Sequence, residues 1–86
     1  MKKNIDRYFK TTNLNLAVFL YAKDFQIAGI NPVDRVQKEF VFTNSPILEE
    51  MIWLYRYGDR DDDRLPISPH KYEQARRELM DRLNDR

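Results

Sequence analysis

Asp59, Asp61 and Asp63 stand at alternate positions in the stretch GDRDDDRLP, residues 58–66, with Asp62 between the last two. Calcium loops open in this way, because a hard cation takes carboxylate oxygens at the first, third and fifth positions. A loop of that kind beginning at Asp59 also needs glycine at its sixth position and a bidentate glutamate at its twelfth. Those positions hold Arg64 and His70, Pro66 stiffens the chain where it would curl round the ion, and Arg60 and Arg64 offset the acidic charge. The stretch reads as a solvated connector, and no metal is expected.

Other reactive side chains are sparse. His70 is the only histidine, and Ser68 beside it is accounted for as a helix N-cap. Catalysis by a lone histidine needs a positioned nucleophile and an orienting group, and the sequence offers neither. The two glycines, Gly29 and Gly58, are too far apart to build a phosphate-binding loop. With no cysteine, a disulfide scaffold, a thiolate metal site and a thiol nucleophile are all excluded. The expectation is a protein that is not an enzyme and takes no cofactor.

Two sets of residues could instead bind. Arg76, Arg77, Arg82 and Arg86 line the final helix and could contact phosphates, while Phe40 and Phe42 could stack bases from a sheet face. Glu73 and Glu78 precede Arg77 and Arg82 by four residues, the favourable spacing for intrahelical pairs, which would draw those arginines away from nucleic acid. The strand KEFVFT also lacks the glycine spacing of an RNA-recognition strand, so core packing is the expected role of both phenylalanines. The second set is Trp53 and Tyr57, four residues apart and projecting with Arg56 away from the apolar face of their helix. Aromatics placed so either receive another helix or form a surface for a protein partner. Cover by the final helix, which needs a surface for its narrow apolar stripe, is the simpler arrangement.

The elements that hold these residues can be read from periodicity and capping. Eighty-six residues make one domain. A 42% hydrophobic content with 13% aromatics makes it globular, and a formal charge of +1 gives no global pull toward nucleic acid or membrane. Residues 1–12 form an N-terminal arm that Tyr8 and Phe9 could anchor as a short edge strand, and residues 13–86 form the domain. Asp6 and Asn15 break the resemblance of the N-terminus to a signal peptide, and the apolar run is too short to cross a bilayer, so a cytoplasmic location is expected.

Thr12 or Asn13 caps a first helix whose apolar residues, from Leu14 to Phe25, cover most of its circumference, as in a helix buried on several sides. FQIAGI and RVQKEFVFT follow as a hairpin around NPVD, with Val36, Phe40 and Phe42 on one face. Ser45-Pro46 starts a second helix with Ile47, Leu48, Met51, Ile52, Leu54 and Tyr55 inward, and Gly58 is its left-handed stop. An acidic connector at 58–67 leads to Ser68-Pro69 and a last helix with a stripe of Tyr72, Ala75, Leu79 and Leu83. The fold class is α+β, in the order helix, β-hairpin, helix, helix, with helices covering a short antiparallel sheet.

The helix start TTNLNLAVFL, the Phe-Val-Phe strand, the aromatic second helix and the closing ARRELMDRL together resemble a family of short bacterial and phage domains of unknown function. The resemblance covers roughly residues 8–84 and supports the fold; it implies no catalytic or binding residue. The resulting expectation is a small, non-catalytic interaction module of bacterial or phage origin whose partner is a protein or a second copy of itself. Self-association would use sheet edges or exposed parts of the first helix. A small nucleic-acid-associated protein is the alternative.

Overall fold

The computed structural model describes residues 7–59 and 61–84. Its hydrophobic centre is α1 (Leu14–Ala22), which Asn13 starts by accepting the Leu16 N–H on Oδ1 at 3.2 Å. Leu16 to Leu20 are all buried, as a helix apolar nearly all round requires. The helix is shorter than its apolar run. Asp24 takes φ 72°, the Asp24 N–H donates to the Tyr21 carbonyl, and the Phe25 N–H donates to the Leu20 carbonyl at 3.1 Å. This is the Schellman closure, with aspartate where glycine is usual. Phe25 lies beyond the helix and is half-buried against the core.

A three-stranded antiparallel sheet, in the order β1-β3-β2, lies over this helix. The strands are β1 (Tyr8–Thr11), β2 (Ile27–Pro32) and β3 (Lys38–Thr43). Strand β1 is the end of the expected arm, and it pairs with β3 through Phe9↔Phe42 and Thr11↔Phe40. Residues 1–6 of that arm lie outside the described residues. On β2, Ile27 faces Phe42 and Ile30 faces Phe40, with a register irregularity between Ile27 and Gly29. Phe9, Phe40, Phe42, Ile27 and Ile30 thus share the face turned to the core. Val36 does not join it. It is 91% exposed in the loop 33–37, because the Asp34 carboxylate accepts the Val36 and Gln37 N–H groups and closes a turn there.

Two further helices flank α1. α2 (Pro46–Tyr57) starts on Ser45, whose Oγ accepts the Leu48 N–H at 3.0 Å, and α3 (Pro69–Asn84) starts on Ser68, whose Oγ accepts the Lys71 N–H at 3.1 Å. Both helices pack on α1 and make little contact with each other. From α2, Leu48 and Ile52 enter the core; from α3, Ala75 and Leu79 do so, with Tyr72 and Leu83 half-buried beside them. Ile47, expected inward, is 66% exposed. The molecule is therefore two layers, sheet over helices, and its thin dimension is 18 Å.

Gly58 ends α2 in an unexpected way. Its φ is −74° and its ψ 165°, an extended rather than left-handed conformation, and its N–H donates to the Leu54 carbonyl at 2.8 Å. A Cβ there would lie 2.6 Å from the Leu54 carbonyl oxygen. Glycine is required at this position for close approach, not for handedness.

Candidate functional site

The acidic connector is more ordered than a solvated tether. Asp59 Oδ1 accepts the Asp61 N–H. Asp62 accepts the Arg64 backbone N–H and two N–H groups of the Arg64 guanidinium, Nε and Nη2, at 2.9–3.0 Å, and those hydrogen bonds hold the Asp62 carboxyl down at about 2. Arg64 also donates to Glu50 of α2 at 2.8 Å. Beyond it, Leu65 and Ile67 are half-buried against the core, and Lys23 Nζ reaches the Pro66 carbonyl at 3.0 Å. The connector is thus laid across the helical layer. Among the described residues no three His, Asp or Glu side chains converge on a point that could hold a metal ion, and Arg60 is not among those residues.

Two open clefts lie along α3. One, of about 390 Å³, is lined by Tyr21, Asp24, Phe25, Lys71, Gln74 and Glu78 among others. Its polar groups are satisfied by one another: the Tyr21 hydroxyl donates to Glu78 at 2.9 Å, Gln74 also donates to Glu78, and Lys71 pairs with Asp24 at 3.1 Å. The bond to Glu78, with partial burial, raises the Tyr21 pKa above its ordinary value. The other cleft, of about 380 Å³, runs between Tyr55 and Tyr72 over Phe19, with Leu65 and Ile67 at its rim. The Tyr55 and Phe19 rings meet at a tilt of 42° with centroids 4.7 Å apart, and burial, with Tyr72 nearby, raises the Tyr55 pKa. His70 is exposed in the first turn of α3 and is not among the residues lining either cleft.

The residues proposed for nucleic acid are scattered by the fold. Phe40 and Phe42 are fully buried beneath the sheet, so neither can stack a base. Arg76 and Arg77 are exposed on α3, Arg82 lies over the Tyr21 ring at 5.8 Å, and Arg86 lies outside the described residues. The expected intrahelical pairs do not form among the described residues. Glu78 turns to Tyr21 and Gln74 instead of Arg82, and Glu73 makes no ion pair with Arg77.

The aromatic pair on α2 has a different outcome. Trp53 is 57% exposed and Tyr57 69% exposed, with ring centroids 5.8 Å apart. The last helix does not cover them, contrary to the simpler expectation. The apolar stripe of α3 is used up in the core against α1, where Ala75 and Leu79 are buried, and α3 makes little contact with α2. Arg56 is exposed beside the pair, and Pro46 extends the same stripe toward the start of α2. Glu49 and Glu50 border this face, as their spacing on the helix implies, whereas sequence reasoning missed Pro46 as part of it. The available signal was its spacing from Trp53, seven residues, two helical turns.

No helix among the described residues is long and apolar enough to cross a membrane. No curated protein and no solved structure matches the chain. Comparison with protein families matches residues 6–66 to a domain of unknown function, DUF5659, a span that runs from β1 through α2 to the connector and stops short of α3. The chain therefore belongs to the DUF5659 family of domains of unknown function.

Proposed function

We propose that this chain is a small non-catalytic interaction module, of bacterial or phage origin, which acts by protein contact through the outer face of α2. One observation carries the reading: Trp53 and Tyr57 lie side by side, largely exposed, on a helix whose other face is anchored in the core. Tryptophan, tyrosine and arginine dominate the binding energy of protein interfaces: the aromatics bring a large rigid area with a polar handle, and arginine brings a planar fork of donors. Arg56 completes such a set beside the pair. The test is a photo-cross-linking residue in place of Tyr57, in cells that produce the chain, against the same residue at the exposed loop position Val36. Protein adducts from position 57 and not from 36 support the reading; identical patterns, or none, overturn it.

Phosphate contact through Arg76 and Arg77 is a second reading, favoured by two exposed guanidinium groups on one helix. It lacks a stacking platform, because Phe40 and Phe42 are in the core. Binding to generic DNA or RNA that falls steeply with salt and is lost in R76A/R77A would support it.

A further inference from the structure

The charges bordering the Trp53 stripe are arranged to fit a copy of themselves. Glu49 and Arg56 are seven residues apart, so they share one edge of the stripe, with Glu49 before Trp53 and Arg56 after it. Among the described residues no cation pairs with Glu49 and no carboxylate with Arg56; Glu49 accepts a neutral hydrogen bond from the Asn44 amide at 3.0 Å. The opposite edge is already closed within the chain, because Glu50 there holds Arg64 at 2.8 Å.

We propose that α2 pairs, antiparallel, with α2 of a second copy across a two-fold axis beside Trp53; this rests on reading the face as a surface for protein contact. Such an axis reverses direction along the helix and keeps each edge on its own side. Arg56, three positions after Trp53, then comes opposite Glu49 of the second copy, four positions before its own Trp53. The mismatch is one residue of rise, about 1.5 Å, which an arginine side chain spans. Symmetry makes the pair twice. The two indoles meet at the axis and each Tyr57 extends the apolar contact along its own helix.

A parallel pairing would turn the Glu49–Arg56 edge against the second copy's opposite edge, where Glu50 repels Glu49 and Tyr57 offers Arg56 no charge, so no complementary ion pair would form. The free sheet edges are poorer candidates. Strand β1 carries Lys10 at its edge, and β2 carries Pro32 and a register irregularity, the features that discourage edge-to-edge pairing. The exposed part of α1 is no candidate, since Asn15 is the one residue of that helix that is exposed rather than buried or half-buried.

The twelve residues of α2 span about 18 Å, so the face is smaller than the roughly 800 Å² per partner of a standard interface. The dimer is accordingly weak, with a Kd on the order of 10–100 µM. Sedimentation of the intact chain from about 5 to 500 µM, bracketing that range, reads it directly. The expected result is a reversible dimer that R56E or E49R weakens about tenfold or more, and that the double variant E49R/R56E restores to within about threefold. Circular dichroism of each variant confirms the fold, which substitutions at these exposed positions leave intact. A dimer indifferent to R56E, or a double variant no better than the single ones, overturns the proposal. A monomer throughout that still cross-links from position 57 overturns the second-copy assignment alone, whereas a monomer with no such cross-link overturns the reading of the face as well.

Discussion

Replacing Gly58 by alanine separates the two reasons a helix can end on glycine. A left-handed glycine is penalised through its backbone, and asparagine substitutes for it tolerably. Gly58 has a φ of −74°, which any residue adopts, so the backbone favours alanine; by restricting the unfolded chain it would stabilise by about 0.4–1 kcal/mol. Against this stands the Leu54 carbonyl oxygen at 2.6 Å from the added Cβ, with Leu54 Cα and Cδ2 both at 3.1 Å. Ordinary contact begins near 3.4 Å, so the oxygen must yield by roughly 0.8 Å, and it belongs to the backbone of the helix's last turn. Overpacking of this kind costs about 1–3 kcal/mol and would stretch the 2.8 Å bond from Gly58 N–H to that same oxygen. The net expectation for Gly58→Ala is a loss of about 0.5–2.5 kcal/mol. In a domain of this size that lowers Tm by roughly 2–20 °C. Gly58→Asn should fare no better. Gly29→Ala is the control, since nothing lies within 4 Å of its Cβ position and no left-handed φ opposes it. Urea and thermal unfolding followed by circular dichroism give the comparison. If Gly58→Ala matched the unsubstituted protein and Gly58→Asn did too, the close-approach argument would be refuted.

Leu79→Ala should cost about 2–5 kcal/mol, because Leu79 is fully buried against α1, and urea unfolding would show α3 to be integral to the core despite lying outside the family match. Trp53 fluorescence should be red-shifted and readily quenched in the dilute protein, and Trp53→Ala should change stability by no more than about 0.5 kcal/mol, as at other exposed positions. Asp62 has its carboxyl lowered to about 2 by Arg64, so its contribution is present above the ordinary carboxylate pKa and is lost as pH falls from about 4 through 2. NMR titration should show the connector amides around Arg64 shifting in that window, and Asp62→Asn should abolish the shift.

Where local chemistry decides, the sequence was sufficient. Asn13, Ser45-Pro46 and Ser68-Pro69 start their helices as expected, since a cap depends only on its own side chain and the next three N–H groups. The continuous apolar surface of α1 likewise announced a helix buried on several sides. Reading failed where a side chain competed with the periodic pattern. Alternation placed Val36 on the core face, but the Asp34 carboxylate captured its N–H and ended the strand. Glycine drew the left-handed assignment to Gly58, while among the described residues it is Asp24 that takes the left-handed conformation. In the connector, Leu65 and Ile67 gave no readable period, for the surface they cover exists only once α1 and α2 are in place. At the candidate site, sequence picked out Trp53, Tyr57 and Arg56, yet their exposure depended on which helix α3 would choose. That choice rests on long-range packing, which spacing alone does not carry.

The position of α1 at the centre of the fold also governs what happens while the chain is being made. Its most apolar segment, Leu16–Ala22, is synthesised before β2, β3, α2 and α3, and of the elements that shield it only β1 precedes it. Strand β1 has no partner until β3 appears, and Leu79 follows Ala22 by roughly 57 residues, about 3–11 s of translation at ordinary rates. At nine residues, α1 is too short to persist as an isolated helix, so during that interval it is a sticky, unstructured segment. Slowing translation between residues 22 and 79 lengthens that interval and should lower the yield of native protein in a cell.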